Sequence, residues 1–311
     1  MPSRIVEFHG ASPLSPESAA MATRRWCPFV DAVCKKSRSG GACVLQAPSS
    51  APVIICPNRL YFDNFAVIRR VADECFEAGY ELIVEIDAEK RRRSGTLTGK
   101  EVVVFGQGFS GEVGIQAPSS DEGSEGTFKM DFLLATVDGD LKPTSIVAIE
   151  VQTIDTTNSY STASQAYYKG EALYHTPEKD YTPAGFNWEN VSKRILPQLI
   201  YKGHALRREA KAQNGLYFIL PHVVLEKIKV RVGGRLLQYP KGPGTITFHS
   251  YQVGPEVEKG ARATELVEAF TTTVEQLAFA FVSPQNLPPL GIYEDTVGNR
   301  LNALSKRRRL D

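Results

Sequence analysis

Two polar side chains interrupt the far end of an apolar run, and their chemical types are those of a metal site. The run is 145–153, S-I-V-A-I-E-V-Q-T, and the polar pair is Glu150 and Gln152. The apolar residues favour a buried strand of a mixed α/β sheet. Side chains two residues apart share one face of a strand, so Glu150 and Gln152 point the same way. Because an ionised carboxylate is rarely buried alone, Glu150 is predicted to face a partner of positive charge.

A second acidic residue upstream opens another apolar run. Asp131 begins 131–137, D-F-L-L-A-T-V. An aspartate that enters one strand and a Glu-x-Gln pair that leaves the next are the parts of a metal-dependent nuclease site. Mg²⁺ prefers oxygen ligands and often takes only one or two carboxylates, so Asp131 and Glu150 are the predicted ligands. Gln152 cannot act as a base, and its amide is predicted to position the attacking water.

Two of the acidic residues have alternative interpretations. Glu150 is either a metal ligand or half of a structural ion pair with a buried Arg or Lys, and the nearby Asp131 strand favours the metal site. Glu112 lies on a short strand candidate flanked by glycines. It is either an auxiliary acid that holds a metal-bound water or an ordinary surface charge.

Four of the five cysteines form a second set of candidate ligands. They are spaced Cys27-x6-Cys34-x8-Cys43-x12-Cys56, whereas Cys75 lies apart in a helical pattern that indicates a core position. Clustered cysteines without a secretion signal favour metal over disulfides. Four thiolates suit a tetrahedral zinc or iron site, and composition does not separate the two metals. Unrelated free thiols are the alternative, since the spacing is not that of a C-x2-C knuckle.

The composition is typical of a globular protein with balanced charge. Of the 311 residues 42% are hydrophobic, enough for the core of one large domain or of two. The 36 Lys and Arg against 35 Asp and Glu do not by themselves indicate a nucleic-acid partner. The basic residues are clustered, and each cluster is either a solvated face or a contact surface. No run has transmembrane length and no signal-peptide pattern follows the N-terminus, so a cytoplasmic location is expected and a membrane partner is not.

The order of predicted elements indicates an α/β core with added segments at both ends. Residues 1–62 are predicted to hold a loose N-terminal arm and the cysteine module, and 63–225 the catalytic core. Residues 226–311 are predicted to add strands and a helix that pack on the core and serve DNA contact or dimerisation. Within the core the order is helix, three strands, helix and strand, an αβββαβ arrangement. Three further expectations are a basic loop at 88–100, a strand at 227–232 and a helix at 264–281.

Three segments resemble the NotI-type restriction endonucleases, which cut long GC-rich palindromes. They are Cys27-Pro-Phe, Ile55-Cys-Pro-Asn-Arg-Leu-Tyr-Phe62 and, above all, Ile149-Glu-Val-Gln-Thr-Ile-Asp155. The resemblance runs from the cysteine module through the helix after Gln152. It implies a PD-(D/E)xK restriction-endonuclease-like core in which glutamine replaces the usual lysine.

The resemblance also implies which residues bind metals. Asp131 and Glu150 carry the catalytic Mg²⁺, with Gln152 as the third catalytic residue, and Glu112 matches the family less securely. A single iron is implied at an N-terminal site of structural role, with zinc kept as the alternative metal. Its ligands are Cys27, Cys34, Cys43 and Cys56.

The function implied is that of a type II restriction endonuclease within a restriction–modification system. Water attacks phosphorus in line and leaves 5′-phosphate and 3′-hydroxyl ends on double-stranded DNA. A palindromic target implies a two-fold homodimer, and a cognate methyltransferase acts on the same site without binding this chain. Sequence recognition requires Arg or Lys side chains that hydrogen-bond to guanine in the major groove. The candidates are Lys35, Lys36, Arg38, Arg59, Arg91, Arg92 and Arg93.

Two other functions fit parts of the sequence. A repair or non-specific nuclease with the same core would cut DNA without sequence preference. A tetrathiolate-metal regulator or redox sensor would bind DNA without cutting it, but it would not explain why two acids converge on strand ends.

Overall fold

The computed structural model describes residues 3–34, 41–116, 127–169, 182–234, 236–283 and 287–307. It is a mixed α/β structure built on a seven-stranded mixed sheet, with eight α-helices among the described residues. None of these helices combines the length and the apolar character needed to cross a membrane. The predicted α/β class is thereby confirmed.

Most of the secondary structure is short and surrounds the large sheet. The strands are β1 Arg4–Phe8, β2 Trp26–Cys27, β3 Ala32–Val33, β4 Ala42–Gln46, β5 Val53–Ile54, β6 Glu81–Ile83, β7 Glu101–Gly106, β8 Gly114–Gln116, β9 Thr127–Lys129, β10 Phe132–Val137, β11 Pro143–Val151, β12 Thr156–Thr157, β13 Gly185–Phe186, β14 Leu216–Pro221, β15 Thr245–Val253 and β16 Thr264–Thr273. The helices are α1 Pro16–Arg24, α2 Phe62–Cys75, α3 Glu85–Ser94, α4 Ser161–Tyr168, α5 Leu196–Leu206, α6 His222–Arg231, α7 Val274–Val282 and α8 Ile292–Arg307, with a 3₁₀ turn at Pro57–Tyr61.

The large sheet has the order β16-β15-β14-β11-β10-β7-β6. Strand β11 lies at its centre, antiparallel to β10 and parallel to β14. Strands β7 and β10 are antiparallel, and β14 and β15 are parallel. Every residue of β14 is buried, as expected for a strand covered on both faces. The apolar runs at 102–105, 131–137, 145–153, 216–220 and 245–253 correctly predicted these inner strands.

The predicted basic loop at 88–100 is wrong, because most of helix α3 lies there. Ala88 is the one buried residue of this helix, so no apolar period marked it in the sequence. Charge pairs one turn apart support the helix instead, since Glu89 binds both Arg92 and Arg93. Gly95 follows in the left-handed conformation, with φ 68°, and ends the helix.

Two predictions near the C-terminus are also wrong. Residues 227–231 are part of helix α6 and Val232 caps it, although the apolar and basic residues of this segment alternate as in a strand. Val224, Leu225 and Ile228 are buried at helical spacing, and this decides the structure. The predicted helix at 264–281 is the edge strand β16 followed by helix α7.

The N-terminal segment is folded into the protein, so the prediction of a loose arm is wrong. Strand β1 pairs with β4 in a small sheet of order β1-β4-β5, and Ile5 and Phe8 are buried. Ser15 caps helix α1, where its hydroxyl oxygen accepts a hydrogen bond from the Ser18 N–H at 3.1 Å. The first strand is therefore part of the core.

A buried ion pair joins this small sheet to the rest of the molecule. Arg59 donates from Nη2 to Glu7 Oε1 at 3.1 Å and pairs through Nε with the other carboxylate oxygen. The two side chains are 0% and 1% exposed. The guanidinium also donates to Thr264 Oγ1 at 2.5 Å and to the Arg262 carbonyl oxygen at 2.6 Å, at the start of β16. One cation thus ties the first strand to an edge of the large sheet.

We expect Arg59→Met to lower the free energy of unfolding by about 3–5 kcal/mol, because Glu7 would remain buried and unpaired. The double variant Glu7→Gln with Arg59→Met should recover part of that loss, since no uncompensated charge remains. Urea unfolding followed by circular dichroism measures both. The matched control is Arg93→Met, which removes an exposed ion pair and should leave the midpoint unchanged. A loss no larger than that of the control would contradict the expectation.

Candidate active site

Two carboxylates meet where the central strands β10 and β11 adjoin. Phe132 of β10 pairs with Ile149 of β11 in antiparallel register, so Asp131 lies opposite Glu150 at the next position. The Val151 N–H donates to Asp131 Oδ2 at 2.7 Å and holds that carboxylate against the end of β11. The structure therefore brings together the two acidic residues that the sequence pattern selected.

The neighbouring strand β7 leaves space for this approach. Gly106 pairs with Phe132 and has a φ of 141°. A Cβ at Gly106 would lie 2.3 Å from Phe132 Cδ1 and 2.5 Å from the Asp131 carbonyl oxygen. A residue without a side chain is required here for Asp131 to enter β10 at its observed position.

The two carboxylates are largely buried and repel each other. Burial and then the negative charge of Asp131 raise the pKa of Glu150 to about 7, against the lowering effect of Lys202. Burial also raises the pKa of Asp131, although the Val151 N–H favours its ionised form. Two carboxylates that resist ionising together are stabilised by a nearby cation. The strand end thus has the chemistry of a cation site.

A lysine that sequence reasoning missed completes this cluster. Lys202 of helix α5 donates from Nζ to Glu150 Oε1 at 2.5 Å, and the two side chains are 17% and 13% exposed. This is the ion pair that was the alternative interpretation of Glu150, and it exists beside the Asp131 contact. The sequence held one weak signal, the place of Lys202 on the polar side of a helical pattern, 52 residues from Glu150.

Helix α5 begins with an irregular turn next to the site. Val191–Ile195 is π-helical, and the Leu196 N–H bonds back to the Val191 carbonyl oxygen. Pro197 comes next and has no N–H for the carbonyl oxygen of Lys193, so the hydrogen-bond ladder widens here. Pro197 therefore marks where the regular helix starts, and that helix places Lys202 next to the end of strand β11.

Gln152 continues the line of the central strand past its last residue. Its N–H donates to the Ile219 carbonyl oxygen at 3.0 Å, which extends the pairing with β14. Its side-chain Nε2 donates to the Thr153 carbonyl oxygen at 3.0 Å. The amide oxygen of such a side chain is a hydrogen-bond acceptor and suits the positioning of water. Gln152 lines a narrow hollow, too small to admit a water molecule, with residues that include Asp155, Asn190, Arg194 and Gln198.

Glu112 lies on the exposed side of the same acidic group. Its Oε2 is 3.5 Å from Lys129 Nζ, and both side chains are largely exposed. Burial raises the pKa of the Tyr61 hydroxyl, and the charges of Asp131, Glu112 and Glu150 raise it further. Glu112 therefore contributes to the negative field of the site and also has a surface partner, so both of its interpretations remain predictions.

The four clustered cysteines lie in the N-terminal module, and none of the four is in a disulfide. Cys27, Cys43 and Cys56 are buried, and Cys34 is partly exposed. Burial raises the pKa of the Cys27 and Cys43 thiols, and charge on Cys56 raises both further. These thiols are near neighbours, but no three of their sulfurs come within 4.8 Å of one another in the described residues, so a closed four-sulfur cluster is not shown.

Another cluster of ligand-type side chains lies away from both predicted sites. His222 and Glu226 of α6 and Glu268 of β16 place ligand atoms within 4.8 Å of one another. Lys229 Nζ donates to Glu226 at 3.0 Å and to Glu268 at 2.7 Å. His222 Nδ1 shares a hydrogen bond with Ser250 Oγ at 3.0 Å. Lys229 thus already pairs with both carboxylates of this cluster.

The predicted DNA-contact residues fall into three groups. Arg59 is buried in its ion pair with Glu7, and this burial conflicts with the predicted contact to DNA. The arginines 91–93 lie on helix α3, where each has an acidic partner on the surface. The remaining candidates, Lys35, Lys36 and Arg38, lie outside the described residues.

Comparison of the sequence with protein-family models gave no match, and comparison with curated proteins gave none either. The interpretation of the site therefore rests on its own geometry and charges.

We expect Gly106→Ala to lower the free energy of unfolding by about 1–3 kcal/mol, because the added methyl group overlaps Phe132 and the Asp131 backbone. Thermal and urea unfolding measure the change. Gly139→Ala is the matched control, since a Cβ there meets nothing within 4 Å. Equal stability of the two variants would show that the close approach of β7 to Asp131 is not needed.

Proposed function

We propose that this protein is a type II site-specific deoxyribonuclease with a PD-(D/E)xK-type core. The observation that carries the proposal is the pair of buried carboxylates, Asp131 and Glu150, opposite each other at the end of the central strands. The elements α3, β7, β10, β11, α5 and β14 support it, because they follow one another in the αβββαβ arrangement, with the short strands β8, β9, β12 and β13 and helix α4 inserted between them. The expected substrate is double-stranded DNA with a specific GC-rich palindrome, which two copies of the chain would engage symmetrically.

The acidic pair fits a divalent cation. Asp131 and Glu150 supply oxygen ligands, and their mutual repulsion is relieved by positive charge between them. When bound, Mg²⁺ polarises the phosphoryl oxygens and lowers the pKa of a water molecule.

The other groups at the strand end hold reactants in place. The Val151 N–H fixes the carboxylate of Asp131, and the Gln152 amide is suited to orient the attacking water. In hydrolysis the water oxygen bonds to phosphorus and the P–O3′ bond breaks. The electron pair of that bond leaves on O3′, which takes up a proton. The products are a 5′-phosphate and a 3′-hydroxyl.

The cysteine module is proposed to hold one iron or zinc ion in a structural role. Three of its four thiols are buried, and Cys27, Cys43 and Cys56 act on one another electrostatically. A tetrahedral site with four protein ligands has no open position for chemistry. Visible absorption of the purified protein distinguishes coloured ferric tetrathiolate from colourless zinc.

We expect purified protein with Mg²⁺ to cut phage DNA into discrete fragments. Asp131→Asn and Glu150→Gln should each slow cutting by about 10³-fold or more, because several kcal/mol of transition-state stabilisation are lost. The control Asp140→Asn changes an exposed carboxylate paired with Lys142 and should cut normally. A smear of fragments would indicate a non-specific nuclease, and retarded but intact DNA a regulator. Normal cutting by Glu150→Gln would refute the proposed site.

Mg²⁺ binding should weaken as the pH falls below 7. The cation needs ionised Glu150, whose pKa is raised to about 7, so protons compete for the same oxygens. Calorimetry should show affinity about tenfold lower at pH 6 than at pH 8, from the change in ionised fraction. Binding to the Asp140→Asn control should follow the same curve, and Glu150→Gln should bind little Mg²⁺ at either pH. An affinity independent of pH would contradict the raised pKa.

A further inference from the structure

Helix α5 and the turn before it face the end of β11 with a row of polar side chains. Arg194 Nη1 lies 2.8 Å from Asp155 Oδ2, and Lys202 Nζ lies 2.5 Å from Glu150 Oε1. Gln198, halfway between the two basic residues in sequence, lines the same hollow as Gln152. Residues four apart follow one face of a helix. Glu150 and Asp155 therefore each meet a basic residue of this segment, and Gln152 shares a hollow with Gln198 between them.

The position of Lys202 is set by the packing around it. Leu199, Gly203 and Leu206 of the same helix are buried against the core. A Cβ at Gly203 would lie 2.6 Å from Val274 Cγ2 of helix α7, so the two helices are in close contact there. Because α5 is held on this side, the ammonium of Lys202 is confined to the space in front of Glu150.

The charges at the strand end are not balanced within the protein. Lys202 is one cation facing two carboxylates, and its charge also favours the ionised form of Asp131. A buried ion pair is a poor source of stability compared with apolar residues of similar size. If a divalent cation takes up the two carboxylates, the ammonium of Lys202 is released from Glu150, and the phosphate of DNA is a negative group that it can then bind.

We propose that Lys202 supplies from helix α5 the positive charge that Gln152 does not provide on the strand. The inference rests on the proposed nuclease function. In the free protein Lys202 pairs with Glu150, and with DNA bound it donates to a non-bridging oxygen of the scissile phosphate. There it stabilises negative charge that grows in the transition state. Lys202 acts as a fixed charge, and Gln152 keeps the separate task of holding water.

The test removes the lysine of helix α5 and places a new lysine at the end of strand β11. Lys202→Met should lower the single-turnover cleavage rate at saturating protein by about 10²–10³-fold. Adding Gln152→Lys to that variant should restore the rate by at least about tenfold, because an ammonium again reaches the phosphate. Lys193→Met is the control, since Lys193 is exposed and pairs with Glu189 at 2.9 Å; it should cut normally.

Two further measurements separate this role from a purely structural one. Calorimetry well above pH 7, where protons do not compete for Glu150, should show that Lys202→Met binds Mg²⁺ at least as well as the unaltered protein, because a competing cation has been removed. Fluorescence anisotropy in EDTA should show weaker binding of a DNA duplex by Lys202→Met than by Lys193→Met. If Lys202→Met does not fold, Lys202→Gln keeps a donor toward Glu150 and tests the same charge.

The outcomes separate the two proposals. The role of Lys202 would be overturned if Lys202→Met or Lys202→Gln cut DNA within about threefold of the unaltered rate. The nuclease proposal would still stand in that case, provided that Glu150→Gln is inactive. If Gln152→Lys alone cuts at the unaltered rate but does not rescue a folded, slow Lys202→Met variant, the role of Lys202 is also overturned, since the lysine would then serve structure alone. Absence of any DNA cleavage by the unaltered protein would overturn both.

Discussion

Repulsion between two buried carboxylates is the constraint around which the centre of the molecule is arranged. Antiparallel pairing of β10 with β11 places Asp131 opposite Glu150, and burial keeps water from screening them. Three devices make this tolerable. The Val151 N–H binds one carboxylate, Lys202 binds the other, and Gly106 allows the backbone to come close enough for both contacts. Such an arrangement favours the binding of a cation, because a positive charge between the two carboxylates relieves their repulsion.

The inner strands were predictable from sequence because burial on both faces leaves a continuous apolar run. Strand β14, L-Y-F-I-L-P, and strand β15 are of this kind, and their limits agree closely with the prediction. Asp131 and Glu150 were found for the same reason, since a charge at the end of an apolar run is conspicuous. The pattern fails at the edge of the sheet. In β16 the apolar residues Leu266, Val267 and Phe270 recur at helical spacing, while the exposed and half-buried residues alternate as the strand requires.

Other features were hidden because they depend on partners distant in sequence. Helix α3 has almost no apolar face and is supported by ion pairs along its surface. Lys202 contacts Glu150 only because helix α5 packs across the sheet, and no local sequence pattern around either residue predicts this contact. The basic residues 91–93 looked like a free DNA-binding patch because their acidic partners lie partly on other elements. Periodicity reports burial of a segment, and it does not report which charges meet across the fold.

The pairing of Glu7 with Arg59 sets a limit on how far the chain can be shortened. A protein that began at Pro16 would keep the whole candidate active site, and a protease that cleaved before helix α1 would do the same. Either product would lose strand β1, leave the guanidinium of Arg59 without its carboxylate, and uncover one edge of β4, the strand that holds Cys43. An exposed strand edge beside an oxidisable thiol invites association between chains. Strand β1 therefore covers an edge of the cysteine module as well as completing its fold.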